Sequence, residues 1–162
     1  MQRNPSGEEP PERANPPETL PEYVERNDDE LTRIQQVAAS DNDWPPLMIN
    51  VNTYRRDSGY AGDEPYSRYI SCLVEMVGSV GGKILWRLPV LGQAVGEPSP
   101  VDEIIAIWYP SHKALLASTT ASGSEETFRL RAQCIARAIV HRCSGHASQL
   151  ALQPGSTREA EN

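Results

Sequence analysis

From position 47 to 54 apolar and polar side chains alternate: Leu47, Ile49 and Val51 fall on one face, Asn50, Asn52 and Tyr54 on the other. A period of two predicts a strand, and the apolar row is expected to face the helices, with the polar row on the opposite face. After a loop over 56–63 the period lengthens. Tyr66, Tyr69, Ile70, Leu73, Val74 and Val77 make a helical stripe that opens at Glu64 or Pro65 and ends at Gly78 and Gly81-Gly82. Residues 83 to about 95 predict a long second strand, bent near Pro89 or Gly92. A third strand is expected over 102–109, where Ile104 to Trp108 are apolar throughout and so central. Ser111 then caps a short helix carrying Leu115 and Leu116. A longer helix is predicted from about 125 to 143. Ser122 and Glu125 have capping-box spacing, Phe128, Ile135 and Ile139 lie near one face, and His141 and Arg142 fall in the last turn. Residues 148–153 predict a closing strand.

This order, β-α-β-β-α-β with a split second helix, predicts an α+β, ferredoxin-like domain with a four-stranded antiparallel sheet. Both helical layers on one face leave the other face bare, so something must cover it. The simplest cover is a second copy, giving a homodimeric α+β barrel.

Composition changes the picture at the ends. Hydrophobic residues make up 38% of the 162, low for a globular chain, and the deficit lies in a polar N-terminal arm. Residues 1–46 hold eleven Asp/Glu against four Lys/Arg and eight of the fourteen prolines, whereas the other 116 residues are charge-neutral. Such an arm buries too little apolar surface to order itself, so residues 1–43 are expected to be largely disordered. A helix within about 19–39 is the exception, with Leu31, Ile34, Val37 and Ala38 at helical spacing and Asp28 or Asp29 as its cap. The folded domain is expected over 44–154 and a polar tail over 155–162. No clustered basic face points to nucleic acid, and no apolar run is long enough to span a bilayer. The first residues lack the apolar core of a secretory signal, and Cys72, Cys134 and Cys143 have no framework spacing, which predicts reduced thiols and a cytoplasmic protein.

The candidate ligand site is Asn50, Asn52 and Tyr54, whose amides would orient an oxygen of a small molecule; a polar dimer contact is the competing reading. Trp86 and Trp108, on neighbouring strands, are candidates for its flat walls or for plain core. Tyr66 and Tyr69 read as core. His112, in a helical first turn, is the candidate proton carrier, against a solvated side chain. His141, Cys143 and His146 lack a fourth ligand, so no metal is expected, and no cofactor. Residues 78–83 miss the phosphate-loop spacing and precede a strand. Glu97, Asp102 and Glu103 read as a solvated turn, and no nucleophile triad emerges.

Four segments in order resemble the bacterial family catalogued as domain of unknown function 1330. They are the strand Met48-Ile49-Asn50-Val51-Asn52-Thr53-Tyr54, the pair Tyr66 and Tyr69, the turn Gly81-Gly82-Lys83-Ile84-Leu85-Trp86, and Tyr109-Pro110-Ser111. The resemblance covers roughly residues 46–153. It implies a dimeric α+β barrel related in fold to cofactor-free monooxygenases and muconolactone-isomerase-like proteins, without a known activity. Thr53 stands where that family often has Arg, and Asn52 replaces an aliphatic residue, so any anion binding by that Arg is expected to be lost or changed. Two functions follow: a homodimeric protein that binds or transforms a small polar or aromatic molecule, or a non-catalytic interaction module with the acidic arm as its partner-binding segment.

Overall fold

The computed structural model describes residues 26–146. Within them run α1 (Asp28–Ala39), β1 (Pro46–Tyr54), α2 (Tyr66–Ser79), β2 (Lys83–Pro89), β3 (Glu103–Trp108), α3 (His112–Ser118), α4 (Ser124–Cys134) and β4 (Ile135–Ser144). The strands form one antiparallel sheet in the order β2-β3-β1-β4. This is the ferredoxin-like α+β arrangement that the periodicity predicts. The arm up to residue 25 and the predicted strand over 148–153 lie outside the described residues.

α2 forms because Tyr66, Tyr69, Ile70, Leu73, Met76 and Val77 recur every three or four residues, and all six are buried against the sheet. Val74, assigned to the same stripe from the sequence, points out and is 52% exposed. Gly81 turns the chain out of the helix with φ 80°, a conformation that only glycine adopts without strain. Burying a side chain such as Val77 or Ile105, each 1% exposed, contributes about 1.5–3 kcal/mol. β2 is shorter than expected and ends at Pro89, which cannot donate to the ladder. α1 is capped by Asn27, whose side chain accepts from the Glu30 N–H at 3.0 Å, rather than by Asp28 or Asp29. Its Ile34 and Ala38 are buried, and the helix packs on α3.

The C-terminal half departs from the prediction. The helix expected to reach 143 stops at Cys134, and Ile135–Ser144 is the fourth strand. Ile135, Ile139 and Val140 are β-branched, and the segment pairs with β1 along its whole length, from Pro46 opposite Ser144 to Tyr54 opposite Ile135. That ladder outweighs the weak helical spacing that Phe128, Ile135 and Ile139 shared. The Ser122–Glu125 capping box is also absent: Gly123, with φ 83°, is the N-cap and no side chain caps the helix.

The sheet is turned over relative to expectation. Asn50, Asn52 and Tyr54 face the helices, beside Ile105 and Ile107 of β3. Leu47, Ile49 and Val51 lie on the other face, opposite Trp108, Ala106 and Ile104. Alternation defines two faces but not which is inside. Here a buried polar network claims the Asn52–Tyr54 end, and the apolar row is left outward.

Candidate functional site

A cleft of about 160 Å³ lies between the sheet and the helices. Asn50, Ile105 and Ile107 form its floor, and Tyr69, Leu73 and Met76 of α2 one wall. Tyr109, Leu115, Thr127, Phe128 and Arg131 complete it from α3, α4 and the turn before α3. The walls are mostly apolar and the polar groups few, which suits a compact ligand. The Asn50 amide N–H₂ makes only long bonds, 3.3 Å to the Met48 carbonyl and 3.5 Å to that of Ile105. Burial pushes Tyr69 up to about 12, and the nearby Arg131 charge draws it partly back.

Further along β1 the same row enters a buried polar network. The Tyr54 hydroxyl donates to one oxygen of Glu103 at 2.6 Å, and the Tyr66 hydroxyl donates to the other at 2.9 Å. Arg87 donates to the Tyr66 hydroxyl at 2.9 Å and stands 3.6 Å from Glu103. Tyr60 stacks on Tyr54 with ring centroids 4.6 Å apart. It is carried there by a tight loop at Gly59, φ 74°, where a Cβ would lie 2.5 Å from the Glu64 carbonyl oxygen. Burial, reinforced by the Glu103 charge, raises both the Tyr54 and the Tyr66 hydroxyl above the ordinary tyrosine range. Asn52, 2% exposed, donates from its side-chain amide to the Tyr54 oxygen at 3.4 Å, while its side-chain Oδ1 is buried without a partner among the described residues. Glu103 is thus no turn residue in water: it is 4% exposed and organises this end of the core.

His112 is fully buried. Its Nδ1 lies 2.8 Å from the Trp44 carbonyl and 3.1 Å from Asp43, and its Nε2 lies 3.1 Å from Arg142. Since Arg142 can only donate, Nε2 accepts and Nδ1 carries the proton. Arg142 in turn bonds Glu30 of α1 at 2.5 Å and lies over the Trp44 ring. Burial alone would raise the Asp43 carboxyl, but bonds from the His112 and Lys113 backbone N–H groups and the His112 ring hold it below its usual range. This clasp joins α1, α3 and β4, and His112 does not line the cleft.

Trp86 and Trp108 share the open face of the sheet. Trp86 is 41% exposed, and the Trp108 indole N–H donates to the Gly145 carbonyl at 2.8 Å. With Leu88 and Ile139 they make that face apolar. Among the described residues no group of three or more His, Cys, Asp and Glu is placed to hold a metal ion, and no helix is long and apolar enough to cross a membrane.

The structure therefore brings Asn50 to the cleft, Asn52 and Tyr54 to the buried network beside it, and Trp86 and Trp108 to the opposite face. Arg131, which lines the cleft, and Glu103, which organises the network, were missed as candidate site residues. Glu103 was within reach, because alternation along β3 sets it on the face of Ile105 and Ile107; Arg131 needed the true end of α4.

No family model matches the chain, and no curated protein matches it. Solved structures do. A protein of unknown function from Rhodopseudomonas palustris, RPA0582, aligns with a TM-score of 0.63 at 18% identity, covering 76% of this chain and 97% of that one. Its methylated form aligns with a TM-score of 0.59 at 18% identity, over 84% of this chain and 99% of that one. A protein described as dimeric, of unknown function and ferredoxin-like fold, from Bacteroides fragilis NCTC 9343, gives a TM-score of 0.37 at 10% identity, over 62% and 95%. At these identities the likeness to the Rhodopseudomonas protein is one of fold: the chain has the fold of an uncharacterised α+β protein.

Proposed function

We propose that this protein is a homodimeric, ferredoxin-like small-molecule binder, with a ligand in the cleft on the helix side of each sheet. The observation that carries the reading is the inward turn of β1: Asn50 of its polar row lines a cleft, and Leu47, Ile49 and Val51 lie on the opposite face. Asn50 orients an oxygen of the ligand, and Asn52 and Tyr54 keep that strand fixed from below. Leu88, Trp86 and Ile139, 54%, 41% and 38% exposed, suit burial against a second copy better than exposure to water. His112 enters this reading as the pin of a clasp and not as a proton carrier, because both ring nitrogens are engaged in the interior. The four motifs shared with the family of domain of unknown function 1330 each fall on the element that resemblance implies, which supports keeping the chain beside that family. Three free thiols accord with a cytoplasmic location. The test is Asn50→Ala: circular dichroism and dimer mass should be unchanged, while the affinity for a single-ring probe that binds the native chain should fall about tenfold, as for one lost hydrogen bond. Unchanged affinity would remove Asn50 from the site.

A further inference from the structure

The cleft contains a cation that the fold does not use. Arg131 lines it from the last turn of α4. Its neighbours Arg68 and Arg129 share Glu126, at 2.9 and 2.7 Å. Elsewhere Arg87 meets Glu103, and Arg142 meets Glu30. The Arg131 side chain has neither a carboxylate nor a hydrogen-bond acceptor among the described residues. A cation in the last turn of a helix offsets the helix dipole, but that role needs no cleft beside it. A half-buried guanidinium next to apolar walls and without an acceptor is a preformed seat for an anion, since its planar fork matches a carboxylate through two parallel bonds.

Volume and lining narrow the anion. A cavity of ~150 Å³ lined by aliphatic and aromatic side chains accommodates benzene, and this one is about 160 Å³. Leu73, Met76, Ile105 and Ile107 offer contact to a body of that size. A phosphate dianion would meet one guanidinium and a mostly apolar wall, leaving most of its oxygens without donors. A singly charged head on a compact apolar body satisfies both halves of the site. The hydroxyls of Ser118 and Thr127 already donate to the Leu115 and Gly123 carbonyls, so the charge falls to Arg131.

Resting on the cleft reading above, we propose that the site takes a compact monocarboxylate with a body about the size of one six-membered ring. Its carboxylate pairs with Arg131, and the Asn50 amide meets a second polar group. Thr53, which stands where the resembling family often has Arg, lies on the open face of the sheet and donates to the Pro100 carbonyl. Its identity therefore leaves the charge of this cleft untouched, and Arg131 supplies an anion seat from the other side of the sheet.

The experiment is a calorimetric titration of the full chain with benzoate and, separately, with benzyl alcohol, which keeps the ring and removes the charge. Benzoate should bind at least tenfold tighter, and its affinity should fall with added salt as for a partly exposed ion pair. Arg131→Met should lower benzoate affinity tenfold or more and leave benzyl alcohol unchanged, with Arg131→Lys between; circular dichroism of each variant confirms that it folds. Equal binding of both probes, or benzoate binding indifferent to Arg131→Met, overturns the carboxylate assignment while the cleft reading stands. Binding of neither probe overturns the cleft reading and the carboxylate with it.

Discussion

The Arg87 guanidinium lies 3.6 Å from the Glu103 carboxylate, although unbroken pairing of β2 with β3 would put the two on opposite faces. Leu85 is the reason. Ile84 pairs with Ile107 and Trp86 with Ala106, so Leu85 is the extra residue of a bulge. A one-residue insertion reverses every later side chain. Trp86 and Leu88 are thereby sent to the open face, and Arg87 to the buried carboxylate. Deleting Leu85 would close the bulge yet leave Arg87 opposite Ile105 on the helix face, so the pair is tested instead by Arg87→Met, which strips Glu103 of its cation. We expect a drop in stability of about 1–3 kcal/mol or more, as for a buried polar group left unpaired, read from the urea midpoint. An Arg87→Met variant as stable as the native chain would contradict this role of the pair.

Glu103 accepts from two buried tyrosines, so removing it leaves both hydroxyls without their acceptor. Glu103→Ala should cost about 1–3 kcal/mol for each group stranded. The double change Glu103→Leu with Tyr54→Phe should recover part of that loss, since fewer unpaired groups then remain. Equilibrium denaturation of the three proteins gives the comparison.

The raised hydroxyls of Tyr54 and Tyr66 make a directional prediction at high pH. A group whose folded pKa exceeds its unfolded value contributes stability that is complete below the unfolded pKa and is lost as pH rises toward the folded one. For tyrosine that loss begins near the ordinary value of 10.0. Stability should therefore decline steadily above that pH. Tyr66→Phe should be less stable at neutral pH but decline less steeply, and a slope equal to the native one would speak against the assignment.

At low pH the clasp should open. Glu30 is held low by its hydrogen bond to Arg142, which outweighs the opposing effect of burial, and Asp43 is held low by the bonds that overcome its own. Folded pKa values below the unfolded 4.5 and 3.8 mean stability that is present above those values and is lost as pH falls through the folded ones. Hydrogen-exchange protection in α1 should be lost as pH falls before protection in β1 is. Glu30→Gln should move that onset toward neutrality, and simultaneous opening of both elements would contradict a separable clasp.

The open face supplies a fifth prediction. Trp86→Glu or Leu88→Glu places a charge amid Ile104, Ala106 and Ile139. Light scattering of the native chain should give twice the monomer mass, and either variant should give the monomer while retaining native circular dichroism. A native monomer would leave the apolar face to some other cover.

Periodicity made most of the frame legible. The two-residue period of β1 and the helical stripe of α2 survive because local pattern and tertiary burial agree there. Asn50 was visible as a candidate site residue for the same reason. The side it faces was not, because alternation is symmetric until something fixes the inside, and what fixes it is Glu103 on a neighbouring strand with Tyr66 on α2. β4 was hidden because Ile135 and Ile139 fit a helical spacing as well as an alternating one, and only the ladder with β1 decides between them. Arg131 followed it into obscurity: in a helix running to 143 it is a mid-helix surface cation, and in one ending at Cys134 it lines the cleft from the last turn.

The central claim, a ligand site on the helix side of the sheet, is tested most directly by amide chemical-shift mapping with a small library of single-ring compounds. Binding should perturb signals that converge on Asn50, Tyr69, Thr127 and Phe128. Perturbations gathered instead around Trp86, Leu88 and Ile139, or no perturbation by any compound, would contradict it.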